Sequence, residues 1–151
     1  MEKALQAVLT NLKGLDYALD WKESPAQWSA RDIVDHLLGT DNSGILYHLG
    51  RALQGQPILP NPGVVSRSPQ RRAMPISDLR KALEVTYREA VRWLQEASPE
   101  QLSRKVSLVS SQGNEEIDAI GVVRRFFIAH WNSHAQQLAS LREQLGIFAE
   151  E

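Results

Sequence analysis

The stretch HWNSHAQQL, residues 130–138, sets two of the chain's four histidines four residues apart within a run of helical apolar spacing. Around it, Ile120, Val123, Phe127, His130, His134, Gln137 and Leu141 recur in steps of three and four, the spacing of one buried helix face. This predicts a last helix over about residues 115–145, closed by Gly146. On such a helix His130 and His134 stand one turn apart, with Cβ atoms roughly 6 Å from each other, so both imidazoles can aim at one point. A buried imidazole without a partner costs about 1–3 kcal/mol. Two readings follow: a divalent ion between the rings, or hydrogen bonds from each ring to a carbonyl or a neighbouring side chain.

The remaining chain has the same helical period. Leu5, Val8, Leu9, Leu12, Leu15 and Leu19 form one face of a first helix. A second helix starts at a capping box, Ser29 with Asp32, with Trp28 and Ile33 placed as a hydrophobic staple, and is expected to run to about Gln54. The segment GQPILPNPGVVSRSPQRRAMP has prolines at 57, 60, 62, 69 and 75 and reads as a long loop. Ser77 offers a cap for a third helix whose Leu79, Leu83, Tyr87, Ala90 and Leu94 share a face and whose end lies near Ala97. Ser98, Pro99 and Gln101 begin a short extra turn, and VSLVSSQGN is an extended excursion, turning at Gly113 and Asn114, without an obvious partner strand. Four long helices within one domain, residues 1–151, predict an all-α four-helix bundle with a long proline-rich loop between its second and third helices.

Composition narrows the function classes. With 17 basic and 18 acidic residues there is no strong overall field toward nucleic acid or anionic lipid, and no basic stripe with interleaved aromatics is present. Zero cysteines exclude disulfides, thiolate ligands and a cysteine nucleophile. The first twenty residues contain neither a signal-peptide apolar region nor a membrane span, so a cytoplasmic protein without a membrane or nucleic-acid partner is expected.

His36 lies in WSARDIVDHLLGTDNSGILYHLG. On a continuous helix, Asp32, Thr40, Ser43 and Tyr47 point within about 40° of it, while Arg31, Asp35 and Asn42 form a charged outer face. The small polar stripe either lines a cavity for a ligand or is plain exposed surface. His48, rotated by about 120° and displaced by roughly 18 Å from His36, is expected at the surface or an interface. Arg67, Arg71 and Arg72 make the long loop basic: they either hold an anionic cosubstrate or remain solvated. Arg124 and Arg125 are expected to face solvent or a partner. Trp21, Trp28, Trp93 and Trp131 are read as core or interface packing, with ligand stacking as the second reading.

WSARDIVDHLL, with a tryptophan eight residues before its histidine, and HWNSHAQQL, with a histidine, a second ligand position four residues on and then Gln-Leu, resemble the DinB/YfiT-like superfamily of metal-binding four-helix bundles. The resemblance extends over nearly the whole chain in helix order and loop position. It departs at Ser133, where many members have a further histidine, and at Gln136, where they have glycine. The resemblance implies metal ligation by His36, His130 and His134, with Gln137 matching the family's glutamine, and a homodimer. Three neutral nitrogens leave an open coordination position, and both Zn²⁺ and Ni²⁺ suit imidazole. Such an ion lowers the pKa of a water or of an incoming thiol. Characterised members include transferases and isomerases that use low-molecular-weight thiols, so the resemblance implies attack of a thiol cosubstrate on a small electrophilic substrate, or metal-dependent hydrolysis. The alternative is a non-catalytic bundle that binds a metal or ligand.

Overall fold

The computed structural model of the protein describes residues 1–59 and 68–147. It is a four-helix bundle with a small hairpin at its side. Arg67 and the central part of the expected long loop lie outside the described residues.

The first bundle helix, α1, is Glu2–Asn11, shorter than the apolar period suggests. Beyond it the chain advances in three-residue turns, with Leu15 N–H bonding Leu12 O, Ala18 N–H bonding Leu15 O and Trp21 N–H bonding Ala18 O. Leu12, Leu15 and Leu19 are still buried, so stacked turns imitate a helical period while the backbone leaves the α-helix.

The expected second helix is two helices, α2 (Ala30–Leu38) and α3 (Ile45–Leu53). Its start agrees with expectation: the Ser29 side chain accepts from Asp32 N–H at 3.1 Å and the Asp32 carboxylate accepts from Ser29 N–H at 3.0 Å. The interruption is a tight turn in which Thr40 and Ser43 exchange backbone hydrogen bonds of 3.2 and 3.3 Å. Gly39 (φ 70°, ψ −164°) and Gly44 (φ 86°, ψ 176°) flank it in backbone regions essentially reserved for glycine. A Cβ on Gly39 would meet the Ser43 carbonyl oxygen at 2.3 Å and the Gly44 Cα at 2.6 Å. GTDNSG is therefore a glycine-bracketed turn, and its composition of turn formers is the signal outweighed by the flanking apolar spacing.

Instead of a structureless loop throughout, the following segment contributes Ile58, whose N–H and C=O bond the backbone of Ser107 and Val109 at 2.8 and 3.0 Å, and a short helix α4, Pro69–Ala73. The third bundle helix, α5, is Ile76–Glu96, with Pro75 rather than Ser77 at its N-cap. Proline's fixed φ suits the helix start, and its missing N–H costs nothing there. Helix α6 (Pro99–Ser103) has the expected box, Ser98 with Gln101. VSLVS is strand β1, Val106–Ser110, and it does have a partner: β2, Gly113–Ile117, antiparallel with Val106 opposite Ile117. Residues 115–117, expected as helix, belong to this hairpin. The last bundle element starts only at α7 (Ala119–Val122), where Asp118 caps Gly121 N–H at 2.8 Å. It continues through a π-helical segment, Val123–Ala129, into α8, His130–Gln144. Gly146 closes it as expected: Gly146 and Ile147 N–H return to the carbonyls of Glu143 and Arg142.

The core collects Val8, Leu12, Ile33, Leu37, Leu49, Leu83, Phe127, Trp131 and Leu138, all at most 1 % exposed. Trp131 stacks on Phe127 at 4.1 Å, and Trp93 lies over Gly50, so both are packing residues. Arg124 and Arg125 are exposed, Arg125 pairing with Glu115 at 2.8 Å. His48 is not a surface residue. It is 7 % exposed, stacked on Phe126 at 4.4 Å and edge-on to Tyr47 at 5.4 Å, and among the described residues neither ring nitrogen has a hydrogen-bond partner. The helix break accounts for the error, because α3 is not a continuation of the α2 axis.

Two outcomes follow. Gly39→Ala should destabilise the fold by at least about 2 kcal/mol in urea titration, combining left-handed strain with a backbone clash. Gly146→Ala, which has a similar φ of 70° but nothing within 4 Å of the added Cβ, should cost only about 1 kcal/mol. The second concerns pH. Burial pushes His48 from 6.5 down to about 4, so the unfolded chain takes the proton first. Its contribution to stability is intact above about pH 6.5 and is lost as the pH falls from there toward 4, by about 3 kcal/mol in total. His48→Leu should flatten that part of the stability profile.

Candidate metal centre

Helix α2 delivers His36 in its last turn, three residues before the break at Gly39. The start of α8 delivers His130 and, one turn later, His134. The Nε2 of His130 lies 2.9 Å from Nε2 of His36 and 3.0 Å from Nε2 of His134. These three form the one group of at least three potential metal donors among the described residues, with ligand atoms all within 4.8 Å of one another.

The π-helical segment leads directly into the turn that bears the pair. It has a wider turn, with bonding from i to i+5. The expected face is met at Val123, Phe127 and Leu141, all buried, but Ile120 is 41 % exposed, and Trp131, Ala135 and Leu138 form a fully buried line beside the histidines. His130 and His134 each precede a member of this line by one residue and are half-buried. They lie at the edge of the core, where a ligand can reach them, rather than on its seam.

One ring of the pair is held from behind. Nδ1 of His134 is 2.9 Å from Oε1 of Gln137; because that oxygen can only accept, Nδ1 has the proton and Nε2 presents its lone pair to the cluster. The Phe126 carbonyl near His130 favours its protonated form. Burial first, then the neighbouring His134 and His36 rings, pushes His130 from 6.5 down to about 4. Burial also lowers His134, opposed by its bond to Gln137. Near neutral pH these imidazoles are therefore uncharged, the form that ligates metal.

Trp28 supplies a contact that sequence reading assigned to a staple. Its ring is 4.8 Å from His36, tilted, and 5.9 Å from His134, nearly parallel at 11°. The aromatic thus packs across two elements of the centre. Its position one residue before the Ser29 cap was legible, but not its orientation.

Thr40, Ser43 and Tyr47 were grouped with His36 by helical projection, and the turn at Gly39 breaks that alignment. Thr40 is exposed and Ser43 half-buried, their hydroxyls 2.9 Å apart. Tyr47, on α3, contacts His48 and has Arg51 over its ring at 5.9 Å. Asp32 is committed to its capping box and to Lys22 at 2.6 Å. Arg72 is exposed, whereas Arg71 is drawn onto α2, with its guanidinium 2.9 Å from the Asp35 carboxylate. Asp35, expected on a charged outer face, is only 3 % exposed.

The donors fit a divalent ion. Tetrahedral coordination with bonds of about 2.0–2.1 Å spaces ligand atoms by about 3.3 Å. The two closest pairs stand at 2.9 and 3.0 Å, a few tenths of an ångström inside that spacing. Without an ion, three facing ring nitrogens cannot all satisfy one another, because each neutral imidazole has a single N–H.

Among solved structures, the chain is similar to YfiT from Bacillus subtilis, described as a probable metal-dependent hydrolase with an unusual four-helix bundle topology. Identity is 16 %, the TM-score is 0.66, and the match covers 96 % of this chain and 87 % of YfiT, a likeness of fold. No curated protein matches the sequence. The family model of the DinB superfamily matches residues 1–138, which span α1 and all three histidines, and the chain belongs to that superfamily.

Proposed function

We propose that the chain is a metal-dependent enzyme whose ion is held by His36, His130 and His134. The observation that carries this reading is the convergence of three half-buried imidazoles from two separate helical elements, two of them depressed in pKa by burial. A structural zinc site has four protein ligands, whereas three leave a position for a reacting molecule. When bound, Zn²⁺ or Ni²⁺ supplies a Lewis-acid centre that favours the deprotonated form of a water or thiol placed beside it.

The chain's own residues then have distinct tasks. Gln137 keeps the His134 proton on Nδ1 and so keeps Nε2 free for ligation. Trp28 covers one side of His36 and His134 and limits water there. No carboxylate belongs to the donor group among the described residues, and the adjacent Asp32 is engaged by Ser29 and Lys22. This favours chemistry in which the ion alone activates the nucleophile, as for a low-molecular-weight thiol attacking a small electrophile. Metal-dependent hydrolysis is the second reading, supported by the likeness to YfiT.

Elemental analysis of untagged protein should give one Zn²⁺ or Ni²⁺ per chain, lost in His130→Ala and retained in His48→Leu. Turnover should fall by more than roughly 100-fold in the same His130→Ala variant. Assays with thiol plus electrophile and with esters separate the two chemistries: dependence on added thiol supports transfer, and ester cleavage without thiol supports hydrolysis. Stoichiometric metal with neither activity would overturn the enzymatic reading in favour of a metal-binding bundle.

A further inference from the structure

His36 is the one member of the centre that comes from outside the last helix, and the backbone on both sides of it is tied down by an arginine from α4. Arg71 Nη1 donates to the Asp35 carboxylate at 2.9 Å, to the Asp35 carbonyl at 3.2 Å and to the Gly39 carbonyl at 2.7 Å. The Asp35 carbonyl already accepts Gly39 N–H at 3.1 Å and takes Arg71 as a second donor, while the Gly39 carbonyl lies at the C-cap of α2, where acceptors lack intrahelical donors and a cation is favoured by the helix dipole. A second arginine makes the contact reciprocal. Arg31, one turn before Asp35, donates to the carbonyls of Arg71, at 2.8 Å, and Met74, and is itself paired with Asp20 at 2.7 Å. The segment 71–74 is therefore fastened to α2 at two heights, by one guanidinium reaching from each side.

This fastening has a specific consequence for the centre. Helix α2 stops at Gly39, so its last turn has no following turn to hold it. Asp35 and Gly39 bracket His36, and a buried carboxylate is costly unless it is paired. We propose that Arg71 is a positioning residue: by docking on Asp35 and Gly39 it fixes the last turn of α2 and so the direction in which His36 meets His130. The inference rests on the three-histidine reading above only for its effect on metal affinity; the effect on His36 itself is independent of any ion.

The test compares the full chain with Arg71→Met, Arg71→Lys and the double variant Asp35→Asn/Arg71→Met, which leaves no unpaired buried carboxylate and so guards against simple unfolding. Histidine side-chain ¹H–¹⁵N spectra of metal-free protein should show the His36 ring signals displaced and broadened in Arg71→Met and in the double variant. His48 signals should stay in place, and Arg71→Lys should restore most of the His36 position. Titration with Co²⁺ alone should give an affinity lower by roughly 10–100-fold in both methionine variants, with a changed visible absorption band. Unchanged His36 signals in either folded methionine variant would overturn the proposal. Wild-type protein that takes up no Co²⁺ would overturn the metal reading, while the spectra of the metal-free chains would still decide the role of Arg71.

Discussion

Three imidazoles crowd together at the edge of an apolar core, and the surrounding architecture serves to hold them there. Protonation of one would place a cation against its neighbours in a half-buried site, which is why burial and the other rings together hold His130 near 4. Remaining neutral leaves another difficulty, since each ring has a single N–H and three Nε2 atoms face a common point. The protein answers it from outside the cluster. Gln137 takes up the His134 ring N–H and leaves that ring's lone pair inward.

Bringing those lone pairs together requires two departures from regular helix. One is the stop at Gly39, which ends α2 just beyond His36 and allows α3 to take a new direction. The other is the π-helical segment Val123–Ala129, which leads into α8, where Trp131, Ala135 and Leu138 are buried and His130 and His134 lie at their edge. Broad helical turns of this kind are frequent at functional sites.

What could be read in the sequence was local. The capping box at Ser29 and Asp32, the closing Gly146 and the spacing of His130 and His134 depend on neighbours three or four residues away, and all appear as read. The approach of His36 to the pair came from family resemblance rather than from periodicity, because nothing local relates two helices 94 residues apart. The misreadings share a cause: apolar spacing was extended across backbone that leaves the helix. Leu12, Leu15 and Leu19 keep a helical rhythm on stacked turns, and Leu37, Ile45 and Leu49 keep it across two glycines with positive φ. Strand β2 was hidden because Glu115 and Glu116 have no apolar alternation, its position being set by pairing with β1. His48, expected at the surface or an interface from projection along one continuous helix, follows the break at Gly39 and is buried.

The central claim is that His36, His130 and His134 hold one ion together. X-ray absorption fine structure of the protein loaded with a single equivalent of Zn²⁺ tests it most directly. The account predicts a first shell containing three imidazole nitrogens at about 2.0–2.1 Å, with the outer-shell scattering of three rings and one further light-atom ligand. A shell with one imidazole or none, or one unchanged by His36→Ala, would contradict it.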